Sequence, residues 1–434
     1  MKIYTKEIFI PNEDLKLSGL DSIRNYYNKK ISPKLSLHKP IRFVVVKTDG
    51  KGYHCEIDFV VQEKSDKKIK SKGSIFDFYK RQYENIDQFN AVLIIPTGVG
   101  AEIGGHCGDG NAVARLIASA CDTLITHPNV VNASDINEMT ENTLYTEGSL
   151  ITRLLMGQIG LQKVRMNKIL MLMDKHQNKF FNDEVINAVS SARVTLGLDC
   201  DVLEMSNAIE CKSKYAKSGR ATGEIKHLER LLNLIKKYVS NYDAIGLSSF
   251  IQVPSHYHEQ YFCKNENMVN PWGGIEAMLT HSIAEIFNIP CAHSPMMTSQ
   301  EVMNLNLGIV DPRKAPESAS VTYLHCILKG LHKAPRITTY NKGLNVESIS
   351  CLIVPDKSLG LPTLACLEQG IPVIAVRKNK NNMNNDLRKL PFKQGKLFVV
   401  DNYLEAVGVM NALKSGISIE SVKCPIKYTN YFRK

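Results

Sequence analysis

The chain has 434 residues, 44% hydrophobic and 22% charged, with a formal net charge of +11. That length supports two or three domains with cores of their own, and the composition is that of a soluble globular protein, which excludes a disordered or fibrous chain. No apolar run reaches the roughly 20 residues of a membrane-spanning helix, and the N-terminal MKIYTKEIFIPNEDLK has no signal-peptide core.

A cytoplasmic protein with no membrane partner is therefore expected. Eleven cysteines are scattered without a C-x-x-C pair, against a disulfide framework or a zinc ribbon. The lysines are spread widely, with local runs at Glu63–Gly73 and Arg377–Lys389. The first run, with its own acids, reads as a solvated hairpin or loop. Neither carries the interleaved aromatics of a nucleic-acid surface. A nucleic-acid partner is not expected, and the positive balance points to small anionic or polar metabolites.

Residues 1–88 read as a smaller α+β lobe. KPIRFVVVKT and YHCEIDFVV are strand-like, DGKG (Asp49–Gly52) would turn between them, and a helix is expected over Ser74–Ile86. From Ala91 onward, apolar strands alternate with loops and helices: AVLII, AVARLIASA, DTLITH, KILMLMD, DEVINAVSSARVTLGL and CDVLEM. The last third repeats the scheme through DAIGLSSFIQV, GGIEAMLTHSIAEIFN and ISCLIVP. Such alternation predicts an α/β fold of largely parallel sheets with flanking helices, as Rossmann-like units. The expected domains are 89–240, with the glycine-rich loop, and 241–434.

The chemistry concentrates in PTGVGAEIGGHCGDG, which places six glycines between Gly98 and Gly110 and threads Glu102, His106, Cys107 and Asp109 among them. Loops at the C-terminal ends of parallel strands face the ligand crevice. The Walker and dinucleotide spacings are absent, and the loop holds no Lys or Arg. Glu102, His106 and Asp109 are thus candidates for proton transfer, and Cys107, just before a helix start, for a nucleophile. Thr97, Gly98, Gly100, Gly104 and Gly105 would cradle the substrate.

The next loop, ITHPNVVNASDIN, adds His127, Asn129 and Asn132 as substrate contacts, while Ser134 and Asp135 fit a helix start. LYTEGS adds Tyr145 and Glu147. His256 and His258 in H-x-H spacing would point one way on an extended segment and could hold a divalent metal. Trp272 in NPWGGIEAM would line a second close-approach loop. Arg313 could pair with a substrate carboxylate, while Glu317, Ser318 and Ser320 fit helix caps.

The glycine loop and the THPNVVN loop, with NPWGGIEAMLTH and AHSPM, resemble an uncharacterised bacterial and cyanobacterial family catalogued as a conserved domain of unknown function. The resemblance begins near Asp87 and implies neither an activity nor a cofactor. The leading expectation is an enzyme acting on a small polar, carboxylate-bearing metabolite by hydrolysis, elimination or isomerisation, with no cofactor required. The alternatives are a metal-dependent hydrolase at His256/His258 and a non-catalytic metabolite or nucleotide binder. A homo-oligomer is compatible with each.

Overall fold

A computed structural model describes residues 1–35, 37–62, 73–133, 137–264, 267–297, 299–303, 306–320 and 322–433. The basic run after Glu63 and the Ser134–Asp135 helix start lie outside the described residues.

Short apolar runs without alternation suit strands covered on both faces. Asn90–Leu93, Thr123–Thr126 and Thr143–Tyr145 are of this kind, as are Ile349–Pro355, Val373–Val376 and Leu397–Val400. They form one six-stranded sheet in which every pair is parallel. Ala91, Leu93, Ile353 and Ile374 pack with helices Asn111–Ala118 and Tyr403–Lys414 on one face. Val92, Leu352, Val354 and Val373 pack with helices Gly148–Leu155 and Leu361–Gln369 on the other.

The strand order has one reversal. From Asn90–Leu93 the chain winds outward through 123–126 to 143–145. From its neighbour Ile349–Pro355 it winds the opposite way through 373–376 to 397–400. The boundary between these two strands is the topological switch point, where the loops diverge and leave a crevice at the strands' C-terminal ends. The glycine-rich loop leaves the sheet there.

The second sheet has ten strands. Asp199–Glu204, Lys168–Met173, Ala244–Gln252 and Cys291–Met296 run parallel in that order. Glu210–Tyr215 joins Ala244–Gln252 through a short parallel pairing and continues into antiparallel Ala221–Lys226, Lys2–Pro11, Gly52–Val61 and His38–Thr48. Leu359–Gly360, from the loop at the switch point, closes that edge.

Hydrogen bonding thus crosses the spans 1–88, 89–240 and 241–434. The N-terminal strands extend the sheet of residues 210–226, and strand 90–93 pairs with 349–353. Strand pairing is a long-range choice that local pattern does not encode.

The helix expected over Ser74–Ile86 is absent, and the segment is irregular. Tertiary contacts outweigh its helical pattern. Asp77 accepts the Ser74 N–H in a local turn, and Arg81 donates to the carbonyls of Ile349, Gln369 and Gly370.

Candidate functional site

A cavity of about 280 Å³ opens between the C-terminal ends of the parallel sheet and the mixed sheet. Five of the twelve histidines line it: His106, His127, His258, His281 and His293. Histidine titrates nearest neutral pH, so this concentration marks a place where protons can move.

His127 and Glu147 leave neighbouring strand ends, since Thr126 and Tyr145 are paired across the sheet. His127 Nε2 accepts the Ile95 N–H at 3.2 Å. In the neutral ring the proton then sits on Nδ1, which makes His127 a hydrogen-bond donor. Burial holds its pKa down at about 4, with Glu147 raising it and His281 lowering it further. His127 is therefore neutral at physiological pH.

Glu147 begins helix Gly148–Leu155, and both its oxygens accept the Ser149 N–H at 2.9 Å. Its Oε1 lies 2.8 Å from His281 Nε2. Burial pushes the Glu147 carboxyl up, but His281 and Ser149 outweigh it and hold the group below its ordinary range. His281 comes from helix Gly273–Phe287 on the opposite wall. Gly148 makes this approach feasible, since a Cβ there would already be 3.3 Å from His281 Nε2. The other ring nitrogen of His281, Nδ1, is buried and has no partner among the described residues.

Three arginines line the same cavity: Arg42, Arg153 and Arg220. Arg42 Nε is 2.5 Å from Asp58, and Arg220 Nε is 2.5 Å from Glu56. These pairings neutralise the local charge, so the wall offers directed N–H groups rather than excess positive charge. Arg153 Nη1 is buried without a hydrogen-bond partner among the described residues, and Arg220 Nη2 makes no hydrogen bond there, its contact being an ion pair with Asp58 at 3.9 Å. Unpartnered buried donors cost about 1–3 kcal/mol each, a cost that a bound acceptor would remove.

The glycine-rich loop forms the third wall, and its glycines serve two needs. Gly98 has φ +74°, its carbonyl accepts the Ala221 N–H at 2.9 Å, and a Cβ there would sit 3.0 Å from the Ala221 carbonyl oxygen. The loop thereby docks on the strand that follows Arg220. At Gly110 a Cβ would meet the Val130 carbonyl oxygen at 2.6 Å, so helix Asn111–Ala118 can begin directly against the His127 loop.

Within this loop the expected residues separate. Thr97, Gly98, Gly105, His106 and Cys107 line the cavity with His127, Asn129, Asn132, His258 and Trp272. Glu102 is exposed and outside it. Gly100 and Gly104 take positive φ and shape the turn away from the lining. Asp109 accepts the Gly104 and His106 N–H groups at 2.9 and 3.2 Å, and so holds the loop together. Burial pushes its carboxyl up to about 8 against the pull of those two bonds. Asn129 has a similar tethering role, donating to the Ile95 and Gly104 carbonyls at 2.9 and 2.7 Å. Arg313 is outside the lining and is engaged by Asp311 at 2.6 Å.

His106 is held by groups that its sequence neighbourhood does not announce. Its Nδ1 is 2.7 Å from the Tyr261 hydroxyl, which donates to Glu317 at 3.1 Å. The Tyr261 oxygen then accepts from His106 Nδ1–H, leaving Nε2 as the lone-pair nitrogen. Glu317 also accepts from the Cys107 N–H at 2.5 Å and from Asn270 at 3.0 Å. Burial lowers the His106 pKa to about 4, followed by the charges of Lys314 and Arg313, and raises Glu317 to about 7. Asn270 ties this network to helix Gly273–Phe287 by accepting the Trp272 and Gly273 N–H groups.

The segment carrying His256 and His258 is helical, Ser255–Glu259, where an extended run was expected. Residues two apart on a helix point to opposite sides. His256 is exposed, while His258 is buried with its ring 5.8 Å from Trp272. Among the described residues, no three His, Cys, Asp or Glu side chains are grouped to hold a metal ion.

In the sequence Glu147 and Glu317 carry only secondary roles, His281 and His293 stand out only as histidines downstream of the H-x-H pair, and nothing singles out Tyr261 or the three arginines. His293 sits in strand Cys291–Met296, with Nε2 2.9 Å from Ser249 Oγ and Nδ1 3.8 Å from Glu276. Ser249 is fully buried and outside the cavity lining, so this arrangement orients His293 rather than presenting a nucleophile.

The molecule is thus a doubly wound α/β protein with a histidine-rich cleft at its switch point. The chain belongs to a family described as a protein of unknown function (DUF3326), whose model matches residues 90–423, starting at the first strand of the parallel sheet. It is 33% identical over 336 residues to a Synechococcus sp. protein named as an uncharacterized lipoprotein, covering 75% of this chain and 91% of that one. No solved structure matches. No helix among the described residues is long and apolar enough to cross a membrane.

Proposed function

We propose that the chain is an enzyme that moves protons on a small carboxylate-bearing metabolite, by isomerisation or elimination. The observation that carries this reading is the pairing of His281 with Glu147 beside His127 in one cavity. With Nε2–H committed to Glu147, His281 has Nδ1 available as a base when neutral and as an acid once protonated. His127, kept neutral, supplies Nδ1–H to a carbonyl or carboxylate oxygen that gains charge during the reaction. A base opposite a neutral imidazole donor suits proton abstraction next to a carbonyl.

Arg220 and Arg153 would receive the substrate carboxylate through Nη2 and Nη1, which make no hydrogen bond among the described residues. Their directed, charge-balanced setting favours a carboxylate over a multiply charged phosphate. His106, oriented by Tyr261 and Glu317, is a second proton acceptor on the glycine-loop wall.

The test is incubation with a panel of small keto, hydroxy and unsaturated acids in D₂O, followed by proton NMR. One member should lose a C–H signal at a rate proportional to protein concentration, and the His281→Gln variant should lose that activity. An acid that binds yet keeps every proton and returns unaltered would replace catalysis by a binding role. Cleavage of the ester or amide derivatives of these acids, incubated in parallel, would put hydrolysis ahead.

A further inference from the structure

Where helices begin at the wall of the histidine cavity, nearby side chains cap them. Glu147 accepts the Ser149 N–H at the start of helix Gly148–Leu155. Asn270 accepts the Trp272 and Gly273 N–H groups at the start of helix Gly273–Phe287. Thr322 accepts the Leu324 N–H at the start of helix Leu324–His332. Helix Leu361–Gln369 differs, since it follows Gly360 and no side chain caps it. Its first-turn N–H groups, those of Leu361 and Thr363, have no carbonyl within the helix to bond, and Pro362 has no N–H.

This helix start lies at the switch point. Leu361–Gln369 follows strand Ile349–Pro355, so its N-terminus faces the crevice at that strand's C-terminal end. Leu359–Gly360 pairs with Val44–Val45, and Val44, Ser358, Gly360 and Leu361 line the cavity. Ser358 is 4% exposed, and its Oγ makes no hydrogen bond among the described residues. Thr363 Oγ1 donates to the Ser358 carbonyl at 2.9 Å, which holds the loop on the first turn of the helix. A buried hydroxyl without a partner costs about 1–3 kcal/mol. Its place beside helix N–H groups identifies the missing partner as an acceptor.

We propose that this helix start and Ser358 hold a second carboxylate, so that the substrate class is a dicarboxylic acid. One carboxylate meets the arginines. The other accepts from the Leu361 and Thr363 N–H groups and the Ser358 hydroxyl, and the reacting carbons lie in the same cavity. A helix N-terminus carries the equivalent of about half a positive charge, and Ser358–Thr363 adds no Lys or Arg. That setting matches a singly charged carboxylate better than a dianionic phosphate. The inference rests on the arginine-lined cavity being a carboxylate site, as proposed above.

The experiment compares dicarboxylates with monocarboxylates of equal carbon number on the intact protein: malonate with propanoate, succinate with butanoate, glutarate with pentanoate, adipate with hexanoate. Trp272, the single tryptophan, lines the cavity. Its fluorescence reads occupancy, and calorimetry gives affinity and stoichiometry. One dicarboxylate should bind about tenfold more tightly than its partner, at one site per chain, as a charge-assisted contact at a helix start would give. Gly360 is extended at φ −159°, and a Cβ there would have only ordinary contacts, the nearest 3.5 Å from the Phe43 carbonyl oxygen. Gly360→Asp therefore fits, lays a protein carboxylate over the helix start, and should erase the gain. Ser358→Ala should shrink it.

Dicarboxylates that bind no better than their partners, with propanoate still bound, would overturn the second anchor and leave the first standing. A gain kept in full by folded Gly360→Asp or Ser358→Ala would place the second carboxylate elsewhere and overturn the site. Two dicarboxylates per chain, or 3-phosphonopropanoate binding more tightly than succinate, would overturn the dicarboxylate class. Failure of every acid to bind would remove the carboxylate reading and this inference with it.

Discussion

His281 Nε2 lies 2.8 Å from Glu147 Oε1, joining a helix of one wall to a strand end of the other inside the cavity. Glu147 is 2% exposed and His281 13%. A buried carboxylate is tolerated only where charge and hydrogen bonds compensate its lost hydration, and His281 and Ser149 supply both. The pair therefore orients the imidazole and fixes which nitrogen is available for chemistry.

His281→Gln keeps a hydrogen-bond donor for Glu147 but removes the titratable nitrogen. Deuterium exchange into the responsive acid should fall by about 10²–10⁴-fold, with the melting temperature within a few degrees of the parent. Exchange at the parent rate would remove His281 from the proton transfer.

The pH dependence of stability should show His127. Its folded pKa of about 4 lies below the ordinary 6.5 because of burial. The unfolded chain therefore takes up the proton first as pH falls. The stabilisation is complete above pH 6.5 and is lost as pH drops toward 4, by an amount on the order of 3 kcal/mol. Asp109, raised to about 8, acts in the opposite sense and loses its contribution as pH rises from about 4 to 8. The comparison with His127→Gln, whose amide can still accept from Ile95, isolates the histidine. Denaturant melts at pH 4.5 and 7 should show a smaller difference for the variant. An equal difference would mean that His127 does not titrate as its burial requires.

Asp109 should prove a loop-holding group. Asp109→Asn preserves an acceptor for the Gly104 and His106 N–H groups and should retain most of the exchange activity. Asp109→Ala leaves those two donors unmet and should cost about 1–3 kcal/mol in a chemical melt. Complete loss of activity in a folded Asp109→Asn protein would instead return the carboxyl to the chemistry.

Arg220→Lys keeps the charge facing Glu56 but removes the planar fork that carries Nη2. Propanoate affinity, read by Trp272 fluorescence, should fall about tenfold or more, as expected where a charge-assisted bond is lost. Arg220→Met would take the nearest cation from buried Glu56, leaving it Ser218 and the more distant Arg42, and should destabilise the fold by about 3 kcal/mol. Unchanged affinity in Arg220→Lys would exclude Nη2 as the carboxylate anchor.

The sequence by itself determined the local grammar. Short, largely apolar runs such as AVLII and DTLITH have the pattern of strands buried on both faces, and the glycine-rich loop declared itself at a strand end. Eight glycine-loop or neighbouring candidates, from Thr97 through Asn132, belong to the cavity lining. Membership of the family was legible in the same stretch.

Only the tertiary structure decided which strands became neighbours. The pairing of Asn90–Leu93 with Ile349–Pro355 creates the switch point, and it depends on packing between segments far apart in sequence. The same holds for the site. His281 looks like any histidine within an apolar helix until Glu147 is opposite it, and Arg220 is an unremarked residue in a turn. Glu102, conspicuous in its motif, is turned to solvent. His256 and His258 separated once their segment became helical. Backbone preference and apolar periodicity act over a few residues, whereas a site is set by which distant side chains share a buried volume.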